Sequence, residues 1–576
     1  MSAVETLQAG LSQLISDLYK VNISAAQIPL EHPAEEERGD YASAVAFRLT
    51  KELKKKPEEI AAELAERLNG DLHVLGLETI LDRAVAEGPF VNLWLSPSYL
   101  ADNLACILNG KYAVTAVAGN GPTIIEYSSP NIGKPFGIGH LRSTVNGHAI
   151  GNLLEAQGHK VVRLNYLGDW GTQFGKLIVA YKKWGEPEAM EQDATAELQR
   201  VYVKFHNEME NDETLLEQGR AWFAKLEQGD KEATKLWQEF REHSLEAFNK
   251  IYDLLEVKIQ EDPESAYAKK FDKTLELLES HKLLKESDGA TIVELPDKNM
   301  PPILIKKQDQ SSLYATREIA AAIDRHERYN FAHMLYEVGN EQELHFRQIF
   351  ALLGMLKLDW VDKLEHIKHG LYVMGDKKMS TRAGRTVSME SILKEAIARA
   401  DKVIAQKNPD LPNRAEVARQ VGIGAVKYHD LSQNRLTNIQ FDFDRMLSLD
   451  GNSAPYLQYT HARALSVLTK AKTNPKKLGK EKLDPAALEQ NEERLLLRRL
   501  VRFEEVIADA ANRRLPHLVA TEIYELAGMF NVFYANVPII KAEGAVRTNR
   551  LLITAAVAKT IARGLELLGI AAPERM

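Results

Sequence analysis

Hydrophobic and polar residues alternate with two different periods along the chain, and the order of these periods predicts an α/β core. A short apolar run from 122 to 129 predicts a strand, and apolar residues spaced three or four apart from 141 to 156 predict a helix with one buried face. Gly158 ends this helix, and residues 160 to 167 predict a second strand. The predicted order is therefore strand, glycine-rich turn, helix and strand.

The same patterns predict further modules on both sides of this unit. Residues 1 to about 110 predict a small α/β module, and the charged residues from 181 to about 300 predict a helical insertion between two halves of the core. Only helices are predicted beyond about 390. We expect three domains, at 1–110, 111–390 and 391–576, because single cores stop growing at roughly 250–300 residues.

Composition and charge narrow the class of protein. The single Cys106 excludes an internal disulfide and a cysteine-rich zinc site. The chain shows no run that is apolar enough to span a membrane and no signal pattern at its N-terminus, so we expect a cytosolic protein. A net charge of −8 argues against a general nucleic-acid binder, although basic patches at 51–56, 470–482 and 494–502 leave room for a specific RNA.

The turn before the predicted helix has the chemistry of an anion-binding site. A helix N-terminus presents unpaired N–H groups and the positive end of the helix dipole. Gly137 and Gly139 carry no side chain that would keep a nucleotide from the backbone, and His140 can bond a phosphate oxygen. The turn contains neither GxGxxG nor GxxxxGK[ST], so the dinucleotide fingerprint and the P-loop are excluded.

This turn resembles the HIGH element of class I aminoacyl-tRNA synthetases, and residues 128–144 and 165–175 are similar to arginyl-tRNA synthetases in particular. Gly137 stands where HIGH has its first histidine. The resemblance implies a multidomain α/β and all-α protein. Its parts would be a Rossmann-type parallel-sheet catalytic core with an insertion, an N-terminal tRNA-binding domain and a C-terminal α-helical anticodon-binding domain.

A second motif, the basic motif Gly375–Arg385, resembles the KMSKS loop of class I synthetases. It lacks the second lysine of that loop, and Lys134 before the first motif stands in its place, as in many arginyl enzymes. Cations are needed where charge develops on a pyrophosphate leaving group. The resemblance implies that His140, Lys134, Lys378 and Arg382 stabilise the phosphates, and that ATP is bound by Gly137, Gly139, His140, Asp169, His369, Lys378, Met379 and Ser380.

The resemblance also implies a site for arginine, whose planar guanidinium pairs naturally with carboxylates. Glu264 matches a family glutamate that holds the guanidinium, with Pro263 where glycine is usual. Tyr314 and Glu318 match a YxxxD spacing, with glutamate in place of aspartate. The complete implied set is Glu126, Asn131, Glu264, Tyr314, Glu318 and Gln342, with His345 nearby.

Two aromatic patterns point to RNA. The predicted strand from 83 to 96 places Phe90, Asn92 and Trp94 on one face, which suits stacked RNA bases if the face is open and a helix-covered strand if it is not. Tyr456 and Tyr459 share a helix face, an arrangement that fits either base stacking or a core. The resemblance favours tRNA contacts by Phe90, Asn92, Tyr456, Tyr459 and the terminal Met576.

The motifs together predict a monomeric arginine–tRNA ligase that uses ATP with Mg²⁺, L-arginine and tRNA(Arg), without a protein-bound structural metal. One alternative is another synthetase of class I, such as a cysteinyl or glutamyl enzyme. Another is a tRNA-binding homologue that has lost catalysis, which Gly137 suggests. A plain nucleotidyltransferase would not explain two flanking RNA-type modules.

Overall fold

The structure is a computed structural model. It describes residues 3–111, 120–306, 314–374, 377–378, 388–440, 442–446, 448, 451–473 and 478–576, with the backbone alone at 36, 314, 374, 377, 378 and 443. Within these ranges no helix has both the length and the apolar character needed to cross a bilayer. The same ranges contain no group of three or more His, Cys, Asp or Glu residues placed to hold a metal ion.

The N-terminal module is a three-stranded antiparallel sheet with helices around it. Its elements are α1 (Ala3–Tyr19), β1 (Tyr41–Ser43), α2 (Val45–Leu53), α3 (Pro57–Gly70), β2 (Leu81–Glu87), β3 (Phe90–Leu95) and α4 (Pro97–Leu108), with strand order β1-β3-β2. The single strand predicted from 83 to 96 is wrong. It is a hairpin, because Gly88 at φ +57° turns the chain between β2 and β3.

The middle of the chain alternates between strands and helices. Its elements are β4 (Thr123–Glu126), α5 (Ile138–Ala156), β5 (Val161–Asn165), α6 (Thr172–Trp184), α7 (Pro187–Glu208), α8 (Thr214–Glu227), α9 (Lys231–Leu254), β6 (Gln260–Glu261), α10 (Ser265–Ala268), α11 (Phe271–Ser280), β7 (Leu284–Ser287), β8 (Ala290–Val293), β9 (Ile303–Lys306), α12 (Tyr314–Tyr329), β10 (His333–Gly339), α13 (Glu343–Met355), β11 (Leu364–His369), β12 (Tyr372–Met374) and β13 (Lys377–Lys378). The strand–turn–helix–strand unit predicted around the glycine-rich turn is confirmed as β4, α5 and β5.

Five of these strands form one parallel sheet in the order β11-β10-β4-β5-β6. The chain runs outward from β4 to β6 and later returns to β10 on the other side of β4. The connections therefore reverse direction between β4 and β10. Open parallel sheets bind their ligands outside the carboxyl ends of the strands at such a switch point.

The inserted segment differs in part from the predicted helices. Residues 284–306 form an antiparallel sheet in the order β7-β8-β9, and β6 rejoins the parallel sheet. Asp288 and Gly289 both have positive φ, which is the backbone of a two-residue hairpin turn. The sequence signal for this hairpin is the Asp-Gly pair followed by a short run of Thr, Ile and Val.

The last part of the chain is almost entirely helical, as predicted. Its elements are α14 (Met389–Lys407), α15 (Arg414–Leu431), β14 (Ile439–Gln440), α16 (Phe443–Met446), α17 (Ala454–Lys470), α18 (Asn491–Arg513), α19 (His517–Asn536) and α20 (Gly544–Leu567). The short strand β14 joins β12 and β13 in a small sheet of order β13-β12-β14. This sheet fastens the helical part to the segment that leads into the basic motif.

The three parts of the chain share one apolar core. A single cluster of buried side chains includes Leu14 of α1, Val145 of α5 and Leu565 of α20. The N-terminal module also makes polar contacts with α18, since His32 Nε2 lies 3.0 Å from Glu505 Oε2 and Asp40 pairs with Arg498. The N-terminal module and the C-terminal helices are therefore packed against each other as well as against the part of the chain that forms the parallel sheet.

Candidate active site

His140 lies in the first turn of α5, at the carboxyl end of β4. Gly137 is the N-cap of this helix, and its backbone N–H donates to His140 Nδ1 at 3.2 Å. Because Nδ1 accepts this bond, the proton of a neutral ring lies on Nε2. Burial of the ring and the nearby Lys134 ammonium lower the pKa of His140 to about 4. The imidazole is therefore a neutral hydrogen-bond donor at physiological pH.

The turn around His140 leaves room beside the helix. A Cβ added at Gly139 would meet no described atom within 4 Å, whereas one added at Gly147, two turns further along α5, would lie 2.3 Å from the Tyr127 ring. The ammonium of Lys134 lies 5.4 Å from the centre of the Tyr202 ring. The mouth of α5 therefore combines open space, the positive end of a helix dipole and a neighbouring cation.

Most residues of the basic motif lie outside the described residues, but the chain before and after it is paired with other elements. The residues outside include Met379, Ser380 and Arg382, and only the backbone of Lys378 is described. Lys378 pairs with Val373 across β12 and β13. After the motif, Ser388 pairs with Gly137, and Met389 N–H donates to the carbonyl of Phe136 at 3.0 Å. Ser388 and Met389, which follow the motif, therefore lie against the turn that carries His140.

His369 ends β11 and is paired with a carboxylate of the neighbouring strand. Its Nδ1 lies 2.9 Å from Oε1 of Glu337, near the end of β10, and both side chains are buried. The backbone carbonyl of Glu337 accepts a hydrogen bond from Ser143 Oγ of α5 at 2.9 Å. The pair thus lies at the carboxyl edge of the sheet on the β10 side of the switch point.

Three of the predicted arginine ligands form an acidic cluster of Glu126, which ends β4, Glu264, which follows β6, and Glu318 of α12. All three carboxylates are buried. Burial raises the pKa of Glu126, an effect that Arg325 opposes and the charge of Glu318 increases. Glu126 in turn raises the pKa of Glu264. Since each carboxylate acts on the next, the three lie in one electrostatic environment, as expected of a site for a cation.

The protein's own guanidinium groups already contact two members of the acidic cluster. Arg325 is fully buried and lies 2.6 Å from Glu126 Oε2 and 2.7 Å from Asp262 Oδ2. Its guanidinium also lies over the ring of Tyr166, at 5.1 Å from the ring centre. Sequence reasoning missed Arg325. The signal was helical spacing, because Arg325 lies seven residues after Glu318 on α12 and therefore shares its face.

Arg317 is the second internal guanidinium. Its Nε lies 3.3 Å from Glu264 Oε2, and both side chains are buried. Burial raises the pKa of Glu264 to about 7 despite the opposing charge of Arg317. The ionisation of this carboxylate is therefore sensitive to pH near neutrality.

Asp169 supports the turn that carries Glu264. Its carboxylate accepts hydrogen bonds from the N–H of Ser265 at 2.8 Å, from Ser265 Oγ at 2.7 Å and from Arg241 Nε at 3.1 Å. The predicted contact of Asp169 with ATP stays a prediction. What the geometry adds is a role in holding β5 to the start of α10.

The other predicted arginine ligands lie at the same edge of the sheet. Asn131 packs against Gly168, where an added Cβ would come within 2.3 Å of Asn131 Oδ1. Gln342 ends a short 3₁₀ turn directly after β10. His345 follows it on α13, and burial lowers its pKa to about 4. Tyr314 begins α12, but its side chain lies outside the described residues.

The expected open RNA face on β3 is only partly open. Phe90 is 41% exposed and its ring lies edge-on to that of Phe47. Asn92 is 3% exposed, because β3 is the central strand of the sheet. The side-chain amide of Asn92 donates to Glu87 Oε2 at 3.1 Å. The exposed face therefore presents Phe90 rather than the amide between the rings.

The two tyrosines of α17 have different environments. Tyr459 is 50% exposed, and the guanidinium of Arg463 lies 4.8 Å from its ring centre. Tyr456 is half-buried against Tyr524, and its hydroxyl accepts from Asn531 Nδ2 at 2.8 Å. Tyr459 and Met576 both line a groove of about 1160 Å³. Tyr459, Arg463 and Met576 therefore form a surface open to a partner.

Three family models match successive parts of the chain. The model of the arginyl tRNA synthetase N terminal domain matches residues 5–95. The model of the class I (R) tRNA synthetase catalytic domain matches residues 103–443, and that of the DALR anticodon binding domain matches residues 457–576. The chain belongs to the arginyl-tRNA synthetase family of class I.

Individual relatives agree along the full length of the chain. The arginine–tRNA ligase of Exiguobacterium sp. is 44% identical over 580 residues, covering 100% of both chains. That of Enterococcus faecalis is 43% identical over 572 residues, covering 98% of this chain and 99% of its own. The Thermus thermophilus arginyl-tRNA synthetase structure has a TM-score of 0.82 at 26% identity, covering 99% of both chains. The predicted family and the predicted fold class are both confirmed.

Proposed function

We propose that this member of the family is an arginine–tRNA ligase that activates L-arginine with ATP and transfers it to the 3′-terminal adenosine of tRNA(Arg). The supporting observation is that Glu126, a member of the acidic cluster, ends β4 and that the neutral His140 lies in the first turn of the helix that follows β4, beside the switch point of the sheet. Such a site can hold a triphosphate and a cationic amino acid side by side.

In the first step the carboxylate of arginine attacks the α-phosphorus of ATP and pyrophosphate leaves. No side chain has to act as a nucleophile, so positioning and charge stabilisation carry the step. The Nε2–H of His140 donates to a phosphate oxygen, and Lys134, Lys378 and Arg382 supply positive charge. Mg²⁺ enters with ATP as part of the substrate.

Specificity for arginine comes from the acidic cluster. Glu126 and Glu264 each pair with an internal guanidinium, but a carboxylate has about four lone-pair sites and can accept from a second donor. Arg317 and Arg325 then hold the two carboxylates in fixed positions, while the substrate guanidinium bonds their remaining lone pairs together with Glu318. Asn131 and Gln342 contact the amino-acid end, and Tyr314 shapes the slot.

The RNA contacts are also part of the proposal. Phe90 faces the outer corner of tRNA, while the buried Asn92 lies within the sheet and is left out of this contact, and Tyr456, Tyr459 and Met576 face the anticodon. The half-exposed ring of Tyr459 and its stacked arginine support this assignment most directly. We further propose domain boundaries at 1–110, 111–390 and 391–576, and a monomer that acts in the cytosol.

ATP–pyrophosphate exchange tests the proposal when it is measured with each amino acid, with and without tRNA. Exchange that requires arginine is expected. Exchange with another amino acid would assign a different synthetase specificity. Absence of exchange with every amino acid, together with retained tRNA binding, would show a tRNA-binding homologue without catalysis.

A further inference from the structure

Asp430 of α15 is a fully buried carboxylate that lies beside the helix carrying His140. Its Oδ1 accepts from Asn146 Nδ2 of α5 at 2.8 Å and lies 3.5 Å from Nε of Arg142. The side chains of Arg142 and Asp430 are 1% and 0% exposed. Arg142 is only two residues after His140, so this contact fixes the beginning of α5.

The same arginine is bound by the segment that follows α15. Arg142 Nη1 donates to the carbonyl of Thr437 at 2.5 Å, and Nη2 lies 3.5 Å from the carbonyl of Asn434. This segment continues into β14, whose Ile439 N–H donates to the carbonyl of Leu371 at 2.9 Å. The contacts of Arg142 therefore extend from α5 to the strand that pairs with β12.

Asp430 also faces β12 directly. Burial raises the pKa of the Tyr372 hydroxyl well above its usual value, and the neighbouring charge of Asp430 adds to this rise. Tyr372 is the first residue of β12 and pairs with Ile439 of β14. The basic motif begins three residues later, and β13 begins five residues later.

One buried carboxylate thus lies between α5, which carries His140, and β12, which leads into the basic motif. We propose that Asp430 is a positioning residue for the activation of arginine, which holds α5 and β12 in the relative placement that lets His140 and the basic motif meet the same triphosphate. This inference rests on the proposed function. It adds a residue outside the substrate pocket whose effect is confined to the nucleotide half of the site.

The matched experiment compares two carboxylate-to-amide changes in buried ion pairs. Asp430→Asn keeps an oxygen for Asn146 and removes the charge beside Arg142. Glu493→Gln makes the same change in a pair confined to α18 and α20, where Glu493 Oε1 lies 2.6 Å from Arg550 Nε and both side chains are buried. Thermal unfolding of both variants fixes a temperature at which each is folded.

Two readouts are measured on the full chain at that temperature: the Kd of Mg·ATP by titration calorimetry, and the kcat and arginine KM of ATP–pyrophosphate exchange. For Asp430→Asn we expect kcat to fall about 10²-fold, the size associated with a misplacement of about 1 Å, and the Kd of Mg·ATP to rise. The arginine KM should stay within about threefold, because the contacts of Asp430 described above do not include the acidic cluster. Glu493→Gln should change none of the three by more than about threefold.

A double variant, Arg142→Gln with Asp430→Asn, separates positioning from stability, since it leaves no unpaired buried charge. Recovery of the melting temperature with kcat still low supports positioning. Recovery of both the melting temperature and kcat in the double variant would overturn the proposal. Equal losses of kcat in Asp430→Asn and Glu493→Gln would also overturn it. If the wild-type protein binds Mg·ATP but shows no arginine-dependent exchange, the proposed function fails, and the Kd comparison alone still decides the role of Asp430.

Discussion

His140 shows how one hydrogen bond can set the chemistry of a residue. The backbone N–H of Gly137 occupies Nδ1, and burial near Lys134 keeps the ring neutral, so that Nε2–H is the donor available to a phosphate. Glycine at 137, where the family motif has histidine, still supplies the N–H that orients the remaining ring. A protonated imidazole is not required for this role.

We predict that His140→Asn lowers the kcat of ATP–pyrophosphate exchange on the order of 10²–10³-fold, because it removes a donor to the developing charge. Binding of arginine should be unaffected. His148→Asn is the matched control, since His148 lies on the same helix but packs against Gly569. Because the pKa of His140 is about 4, the wild-type rate should show no step from this residue between pH 6 and 9. Equal losses of kcat in the two variants would contradict the assignment.

We expect Glu264 to make the binding of arginine depend on pH. Its pKa is raised to about 7, so the carboxyl is protonated below that pH and ionised above it, whereas a guanidinium stays charged throughout. We predict that the KM for arginine falls as the pH rises from 6 to 8. Glu264→Gln should raise this KM about 10- to 100-fold, the range of a lost charge-assisted hydrogen bond.

The control for this prediction lies within the same measurements. Glu264→Gln should leave the KM for ATP near the wild-type value, because Glu264 belongs to the acidic cluster that is proposed to bind arginine and not to the proposed phosphate ligands. The variant should also lose the pH dependence of the arginine KM. An arginine KM that still falls with pH in the variant would assign the titration to a different group.

Among the elements, α5 sets the position of the proposed phosphate site, because it packs on β4 and carries His140 in its first turn. Two glycines on this helix have opposite environments. An added Cβ at Gly147 would lie 2.3 Å from the Tyr127 ring, and one at Gly139 would meet no described atom within 4 Å. The same substitution at the two positions therefore separates packing from ligand binding.

We predict that Gly147→Ala destabilises the protein by about 1–3 kcal/mol, as expected of overpacking. Gly139→Ala should leave the free energy of unfolding unchanged or slightly higher, because alanine is favoured over glycine in helices. If the nucleotide occupies the space beside Gly139, this second variant should raise the KM for ATP. Chemical denaturation and exchange kinetics measure the two effects, and a normal KM for ATP in Gly139→Ala would place the nucleotide elsewhere.

The elements that could be predicted from sequence are those with a strong local signal. The periodicity of α5 and the apolar runs of β4 and β5 gave their positions to within a few residues. The sequence pattern predicts one strand in place of the β2–β3 hairpin, because apolar and polar residues alternate on both sides of Gly88. Only the positive φ of Gly88 shows that the chain turns there. The pairing of Arg325 with Glu126 joins residues far apart in the chain, so periodicity carries no information about it.

At the scale of the whole molecule, the predicted RNA surfaces lie on parts that the apolar core joins to the catalytic sheet. The sequence indicated aromatic residues in both flanking parts but could not show which rings are exposed. The structure separates Tyr459, which is half exposed, from Tyr456, whose hydroxyl is bonded to Asn531. Exposure depends on how α17 packs against α19, which is a tertiary property.

We predict that Tyr459→Ala weakens the binding of tRNA(Arg) about 5- to 150-fold, since stacking of a base on an aromatic ring contributes about 1–3 kcal/mol. Tyr456→Phe should have little effect on tRNA, because it keeps the ring that packs on Tyr524. Both variants should bind arginine and Mg·ATP normally. Filter binding at a fixed salt concentration measures the difference, and equal tRNA affinity in the two variants would remove Tyr459 from the RNA surface.

The central claim is that the mouth of α5 and the acidic cluster form one site for one intermediate. A crystal structure with a non-hydrolysable analogue of arginyl-adenylate tests it most directly. The account predicts a phosphate oxygen about 3 Å from Nε2 of His140 and the guanidinium within hydrogen-bond distance of Glu264 and Glu318. An analogue bound with its guanidinium away from these carboxylates, or its phosphate out of reach of His140, would contradict the claim.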